Sequence, residues 1–156
     1  MGTSLKEEFW DRIEDIRTGM LGTNTARSVP MSHYVDEDAN ALWFITAKGT
    51  DLAKTAQSGV AAEYVVISKD EHLYARIDGK VQAVTDPAKL DELWSAIAGA
   101  WFEDGRPDED VQLLRMDLTE AEVWATGGSL SFLYEIAKAH ITDEKPDMGQ
   151  HDTLRF

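Results

Sequence analysis

The segment from Ala41 to Thr50 gathers the side chains best suited to binding an anion. An apolar run with two aromatic residues, which is typical of a strand, ends at a Lys48-Gly49-Thr50 turn. Good helix formers follow, and either Thr50 or Asp51 has the side-chain oxygen of an N-cap. This arrangement places a lysine, hydroxyls and unpaired N–H groups together, which favours an anionic ligand. An ordinary helix cap that binds nothing explains the same residues, so local sequence leaves both interpretations open.

Composition restricts the partners and the chemistry. The chain of 156 residues has a formal net charge of −14 and lacks the clustered lysines and arginines that recognise phosphate backbones, so we expect neither nucleic acid nor membrane as a partner. The absence of cysteine excludes disulfides, thiol nucleophiles and thiolate metal sites. The first ten residues lack the apolar core of a signal peptide, and no apolar run approaches a membrane span. A cytoplasmic protein is therefore expected.

Hydrophobic periodicity predicts a mainly β (α+β) fold, with one domain over 1–156 and an irregular tail over about 141–156. Tightly connected strands in the middle of the chain indicate an antiparallel meander. The predicted strands are 19–23, 26–35, 41–47, 60–68, 72–85 with a bulge or bend at Gly79, 111–118 and 121–126. The predicted helices are 5–18 with a Ser4/Glu7 capping box and a stop at Gly19, a short one from Asp51, one opened by Asp86-Pro87, and 129–140.

Several familiar sites are absent from the sequence. Neither a phosphate-binding P-loop nor a Gly-rich dinucleotide fingerprint occurs. Asp36, Asp38 and Asn40 begin like a calcium loop, but Ala41 and Ala47 replace the glycine and glutamate that such a loop needs. The four histidines have no metal-ligand spacing. We therefore expect no metal site, and no catalytic residue can be identified.

Five stretches together resemble the pyridoxamine 5′-phosphate oxidase-like flavin-binding proteins, and most closely their general stress protein 26 type. Each stretch alone is a motif of low specificity, and the specificity comes from their order and spacing. Together they cover nearly the whole chain. They are Arg27-Ser-Val-Pro-Met, Leu42-Trp-Phe-Ile-Thr with Lys48-Gly-Thr, Arg76-Ile-Asp-Gly-Lys-Val, the late group Trp101-Phe-Glu-Asp-Gly, Leu113-Leu-Arg-Met and Glu122-Val-Trp, and the tail from Met148.

The resemblance implies a split antiparallel β-barrel with flanking helices. It also implies a homodimer that holds flavin mononucleotide (FMN) at its interface, with the phosphate on basic and hydroxyl side chains. By position, the implied cofactor contacts are Arg27 for the phosphate or ribityl chain, Thr46, Lys48 and Thr50 in the turn, Val29 and Met31 through backbone or packing, and Trp124 near the ring.

One departure from the family pattern concerns the phosphate. Members often carry a basic pair after the turn hydroxyl, where this chain has Asp51 and Leu52. The phosphate would then depend on Arg27, Lys48 and also Lys54, which lies one turn into the helix. Flavin affinity, and loading on purification, are expected to be reduced accordingly.

Without the resemblance, the same residues have ordinary structural explanations. Arg27 and Lys48 would be surface charges, and Trp124 would be a core residue. Three functions remain open: a flavin-dependent oxidoreductase of unknown small-molecule substrate, a flavin-binding stress or carrier protein with little turnover, and a flavin-free dimeric domain. A placed acid/base group would separate the first two, and the sequence does not identify one. Pyridoxamine phosphate oxidation is disfavoured because the tail offers only Arg155 for a substrate phosphate.

Overall fold

The fold is an antiparallel split β-barrel with flanking helices, which confirms the predicted mainly β class. The computed structural model describes residues 4–69, 73–94, 110–125, 141 and 150–156. The predicted helix 129–140 and most of the acidic loop at 101–110 lie outside these residues. The elements are α1 (Leu5–Asp15), β1 (Thr18–Thr23), β2 (Val29–Asp36), β3 (Ala41–Ala47), α2 (Asp51–Thr55), β4 (Val60–Ile67), β5 (Leu73–Val84), α3 (Pro87–Trp94), β6 (Val111–Ala125) and β7 (Gln150–Arg155).

Six strands close the barrel, and β6 makes the closure possible. The hydrogen-bonded order is β3-β2-β1-β4-β5-β6-β7, and β3 also pairs with β6. The first half of β6 pairs with β3, and its second half pairs with β7. The two late strands predicted from sequence are therefore one strand of 15 residues that changes its neighbour near Thr119. The predicted bulge is confirmed, because the register with β5 shifts between Asp78 and Gly79.

The C-terminal residues form a strand, which corrects the prediction of an irregular tail there. β7 pairs with the segment Glu120–Ala125 of β6. Its side chains are largely exposed, so it lacks the alternating pattern by which strands are recognised. Phe156 then packs against α1, with ring centroids 5.5 Å from Phe9 and 5.6 Å from Trp10.

Helix α1 plugs one end of the barrel. Its capping box is confirmed, since Ser4 Oγ accepts from the Glu7 N–H and Glu7 accepts from the Ser4 N–H. Ile13 is fully buried in the barrel core. The helix ends at Asp15 and not near residue 18, because Ile16 already has an extended backbone (φ −80°, ψ 133°). Gly19 consequently lies inside β1 and does not terminate the helix.

A second, smaller core lies outside the barrel under α3. Leu93 packs there with Trp43 of β3 and Leu113 of β6. The predicted start of α3 is confirmed, because the helix begins at Pro87 and Asp86 Oδ1 accepts from the Lys89 N–H at 3.0 Å. Within the described residues, no helix has the length and apolar character needed to cross a membrane.

A buried polar network connects α1, β2 and β4. His33 Nε2 lies 2.8 Å from the Ile13 carbonyl, and His33 Nδ1 lies 2.6 Å from the Tyr64 hydroxyl. The same hydroxyl lies 3.0 Å from the Met31 carbonyl. Burial lowers the pKa of His33, although hydrogen bonding to the Ile13 carbonyl opposes that shift, and burial raises the pKa of Tyr64.

Gly19 gives the Tyr64 ring room to cross β1. A Cβ atom at residue 19 would lie 2.5 Å from the Val65 carbonyl oxygen and 2.7 Å from Tyr64 Cζ. Strand β1 lies between β2 and β4 in the sheet. The absent side chain at Gly19 therefore allows a residue of β4 to reach β2.

Gly19→Ala should lower the free energy of unfolding by roughly 1–3 kcal/mol, the usual cost of overpacking a core. Thr18→Ala changes an exposed side chain of the same strand and should stay within about 0.5 kcal/mol of wild type. Urea denaturation of the three proteins measures the difference. Equal stability of the two variants would show that the Tyr64 ring can move without cost.

Protonation of His33 should destabilise the fold. The folded pKa is lowered, so the unfolded chain binds more protons below pH about 6.5, and the stability present above that pH is lost as pH falls towards the folded pKa. The slope from this one group is at most about 1.4 kcal/mol per pH unit. Urea denaturation between pH about 5 and 7 should show this slope in wild type and in the exposed-site control His151→Gln, and should show it reduced in His33→Gln. An unchanged slope in His33→Gln would contradict the assignment.

Candidate functional site

The barrel is split between β2 and β3. Residues Val29–Ser32 of β2 pair with β1, whereas pairing of β2 with β3 is restricted to the segment from His33 to Asp36. Strand β3 pairs with β6 along its whole length, so beyond Phe44 it is hydrogen bonded on the β6 side alone. Pro30 has no N–H to donate to a ladder, which favours such an opening. The split is thus bordered by 29–32 on one side and 45–47 on the other.

Thr46 and Lys48 border the split from the β3 side. Thr46 pairs with Gln112 of β6, and the Lys48 N–H donates to the Asp110 carbonyl at 2.8 Å. Lys48 also lines a cavity of about 210 Å³ between the start of α3 and the first residues of β6. Gln112 lines the same cavity and was not predicted as a site residue, although a polar residue in the apolar run from Val111 was a signal for it.

Thr50, and not Asp51, is the N-cap of α2. The sequence had left these two residues as alternatives. The Thr50 hydroxyl accepts from the Ala53 N–H at 3.1 Å and donates to the Ala47 carbonyl at 3.1 Å. The hydroxyl proton is therefore used within the turn. Gly49 has φ +85° and open space around its Cα, so glycine there serves the turn conformation.

Arg27 and Lys54 lie on two segments that are tied together beside the split. The loop before β2 contacts the end of α2 through the Thr25 and Thr55 hydroxyls, 3.3 Å apart. Arg27 follows that loop, and Lys54 precedes Thr55 in α2. Both basic side chains are exposed, and in the described part of the chain neither has a hydrogen bond or an ion pair.

Val29 and Met31 present different groups to the split. The Val29 side chain is 39% exposed, whereas the Met31 side chain is buried in the barrel core. Their alternation with outward-facing Pro30 places both side chains on the inner face of β2. Met31 can therefore meet a ligand in the split only through its backbone.

Trp124 lies away from the split within one chain. It is in the second half of β6, where it pairs with Tyr74 and His151, whereas Gln112 at the other end of β6 pairs with Thr46. The Trp124 and His151 rings are stacked, with centroids 4.8 Å apart and an interplanar angle of 7°. Seven of the eight predicted site residues thus border the split or its adjoining turn, and Trp124 does not.

The split combines basic groups with an irregular backbone, which suits an anion better than a metal. Among the residues that the structure describes, no group of three or more histidine, aspartate or glutamate side chains is placed to hold a metal ion. Asp51, at the start of α2, is the acidic residue closest in sequence to the turn. Asp86 also lines the cavity that Lys48 lines, so a ligand phosphate at this end of the barrel would meet carboxylates as well as basic side chains.

Comparison with known proteins supports the family relationship. A family model described as pyridoxamine 5′-phosphate oxidase like matches residues 5–147. No match is found among the curated proteins.

Two solved structures are similar over most of their length. One, described as a general stress protein 26 from Jannaschia sp. CCS1, is 51% identical, with 97% of this chain and 98% of that chain covered and a TM-score of 0.84. The other, a general stress FMN/FAD binding protein from Xanthomonas citri, is 33% identical, with coverage of 80% and 91% and a TM-score of 0.72. The chain therefore belongs to the pyridoxamine 5′-phosphate oxidase-like family and is of its general stress protein 26 type.

Proposed function

We propose that the chain binds a flavin, specifically FMN, at the split, and acts as a flavin-dependent oxidoreductase of a small molecule in a stress response. The observation that carries this proposal is that three exposed basic side chains, without ion-pair partners among the described residues, lie on the segments next to the split in a strongly acidic protein. These side chains are Arg27, Lys48 and Lys54. The Xanthomonas citri relative is named as an FMN/FAD binding protein, which supports a flavin as the ligand.

The phosphate is proposed to depend on side chains and not on the helix terminus. Helix α2 has only five residues, so its dipole is small, and Asp51 in its first turn partly cancels that dipole. The Thr50 hydroxyl proton is directed to the Ala47 carbonyl. Charge-assisted hydrogen bonds from Arg27 and Lys48 are then the main attraction for a dianion.

The isoalloxazine ring is proposed to lie along the β2 side of the split. Val29 offers an exposed apolar surface there, and the β2 backbone at 29–32 lacks a β3 partner. Bound FMN would supply the redox chemistry, while the protein supplies binding, orientation and electrostatics.

A second copy of the chain is proposed to cover the outer face of the sheet. Met20 and Ile67 are 41% and 56% exposed on this face. Strand pairing places Met20 beside Pro30 and Val65, and Ile67 beside Tyr74. Tyr74 in turn pairs with Trp124.

This face continues from the β2 edge of the split towards Trp124. A symmetric dimer over the face would bury its apolar side chains. It would also allow Trp124 of one chain to approach the split of the other, which is the arrangement that the family resemblance implies.

A binding protein with little turnover is the second candidate. The one imidazole in the strands that border the split, His33, is buried, and both its nitrogens are hydrogen bonded. The strands that border the opening thus present no free imidazole there. Single-turnover reoxidation of the reduced flavoprotein by quinone or nitroaromatic acceptors separates the two candidates. Reoxidation no faster than with oxygen alone would favour the binding protein.

Titration with added FMN tests the proposal directly. Quenching of flavin fluorescence should saturate near one FMN per subunit, whether or not the purified protein is coloured. The net charge of −14 repels a dianion at long range, but salt screens this repulsion beyond about 8–10 Å. Binding then depends on the donors that contact the phosphate. No saturable binding at tens of micromolar flavin would exclude both flavin-dependent candidates.

Lys48→Ala and Arg27→Ala should each weaken FMN binding more than tenfold and change riboflavin binding little, because only FMN carries the phosphate. The expected loss follows from roughly 1.5–3 kcal/mol for a hydrogen bond to a charged group. Lys69→Ala removes an exposed lysine just after β4, at the end of that strand away from α2, and should change neither affinity. Equal losses for FMN and riboflavin would place the phosphate elsewhere.

The dimer should be visible by light scattering at micromolar concentration. Ile67→Asp places a charge in the proposed interface and should shift the molar mass towards one chain, since a buried unpaired charge is costly. Ser58→Asp adds the same charge at an exposed site outside that face and should leave the mass unchanged. A wild-type monomer would count against a shared flavin site.

A further inference from the structure

The His33–Tyr64 network has more acceptors than donors when His33 is neutral. The Ile13 carbonyl can only accept, so His33 Nε2, which lies 2.8 Å from that oxygen, carries a proton. A neutral His33 then has an unprotonated Nδ1, which must accept from the Tyr64 hydroxyl at 2.6 Å. The same single hydroxyl proton is shared with the Met31 carbonyl at 3.0 Å. Met31 therefore receives only part of a hydrogen bond.

Protonation of His33 removes this competition. The Nδ1–H of the imidazolium donates to the Tyr64 oxygen, and the Tyr64 proton is then available to the Met31 carbonyl alone. Each donor in this network, the two imidazolium N–H groups and the Tyr64 hydroxyl, then has an acceptor of its own. The protonation state of His33 thus sets how firmly Tyr64 holds Met31.

Met31 connects this hydrogen-bond network to the split. It belongs to the segment 29–32, which pairs with β1 but has no β3 partner on its other side. The Tyr64 hydrogen bond is therefore an additional restraint on a strand segment that is otherwise held from one side. A change at Tyr64 should be felt as a change in the position or mobility of this segment.

We infer that Tyr64 is a positioning residue for the flavin-binding edge of β2, and that His33 is a buried proton site linked to flavin binding through Tyr64. The inference rests on the proposed flavin site. By linkage, protonation of His33 should tighten flavin binding, and bound flavin should favour protonated His33 to the same extent. This coupling operates although His33 itself does not contact the ligand.

Protons have a route to His33. The residue lies on the wall of a cavity of about 420 Å³ that is also lined by Glu14, Arg17 and Tyr34. The Glu14 carboxylate would favour the imidazolium and the Arg17 guanidinium would oppose it. Tyr64 is the titratable group that faces His33 from β4, and its raised pKa keeps it neutral and able to donate.

Riboflavin is the probe for the test, since it has no phosphate that titrates in the same range. Its dissociation constant for wild type should fall about fivefold between pH about 7.5 and pH about 5. Tyr64→Phe should weaken binding about five- to tenfold at pH about 5 and remove the pH dependence, because the bond to Met31 is lost. His33→Gln retains a donor for Ile13 and cannot ionise, so binding should persist without pH dependence.

A matched control separates positioning from general destabilisation. Val123→Ala removes methyl groups from the fully buried core in the second half of β6, away from Met31. It should lower the unfolding midpoint as Tyr64→Phe does and yet keep wild-type riboflavin affinity and pH dependence. NMR titration of the His33 ring in wild type, with and without riboflavin, gives an independent reading: its pKa should rise when flavin is bound.

The outcomes are distinct. If wild type binds no flavin, the proposed function fails and the inference fails with it. If wild type binds flavin with no pH dependence, or if Tyr64→Phe and Val123→Ala weaken riboflavin equally, the flavin site stands and the inference is overturned. Should Tyr64→Phe not fold, the pH profile of His33→Gln and the wild-type NMR titration still decide between these results.

Discussion

The change of partner along β2 is the constraint on which the rest of the arrangement depends. In a fully paired barrel, β2 would continue to hydrogen bond with β3 along its whole length. Here the pairing is limited to 33–36, and the preceding residues turn their free side to an opening. The turn at Lys48 and helix α2 follow directly after the end of β3 that has no β2 partner. A single break in one ladder thus creates the opening, and the segments that carry the basic side chains lie next to it.

Charge on the segments next to the opening is not neutralised by ion pairs between described residues. Some basic side chains elsewhere are paired with carboxylates, as Arg76 is with Glu122 and Arg115 is with Asp117. Such exposed pairs contribute little to stability, but they neutralise the local potential. Among the described residues, Arg27, Lys48 and Lys54 form no ion pair with a carboxylate. A protein that is repulsive to anions at long range can therefore still offer a local anion site, and selectivity follows from the short range of the attraction.

Local chemistry made part of the fold predictable. The Ser4 capping box, a cap of α2 at Thr50 or Asp51, and an irregularity at Gly79 were predictable because each depends on a few neighbouring residues. The split was not, because it depends on which strands pair and where pairing stops. The continuity of β6 was missed because its two halves have different neighbours.

The site was predictable to a similar degree, and for a similar reason. Arg27 and Lys48 could be proposed from motif order alone. The crossing of Tyr64 over Gly19 could not, since the two residues are distant in sequence and the glycine resembled a helix stop. Nothing in the sequence separates His33 from an ordinary structural histidine. Only the Tyr64 hydroxyl, which lies within hydrogen-bond distance of both His33 and the Met31 carbonyl, connects it to the opening. Contacts between distant strands carry information that periodicity does not contain.

The clasp between the two ends of the described chain has a consequence for folding kinetics. Lys6 Nζ donates to the Arg155 carbonyl across 149 positions, and it also lies 5.1 Å from the centroid of the Phe156 ring. Contacts with such sequence separation carry a large loop-closure entropy and tend to form late. Interactions absent from the transition state govern the rate of unfolding and hardly affect the rate of folding. Loss of the Lys6 contacts is therefore expected to raise the unfolding rate more than it lowers the folding rate.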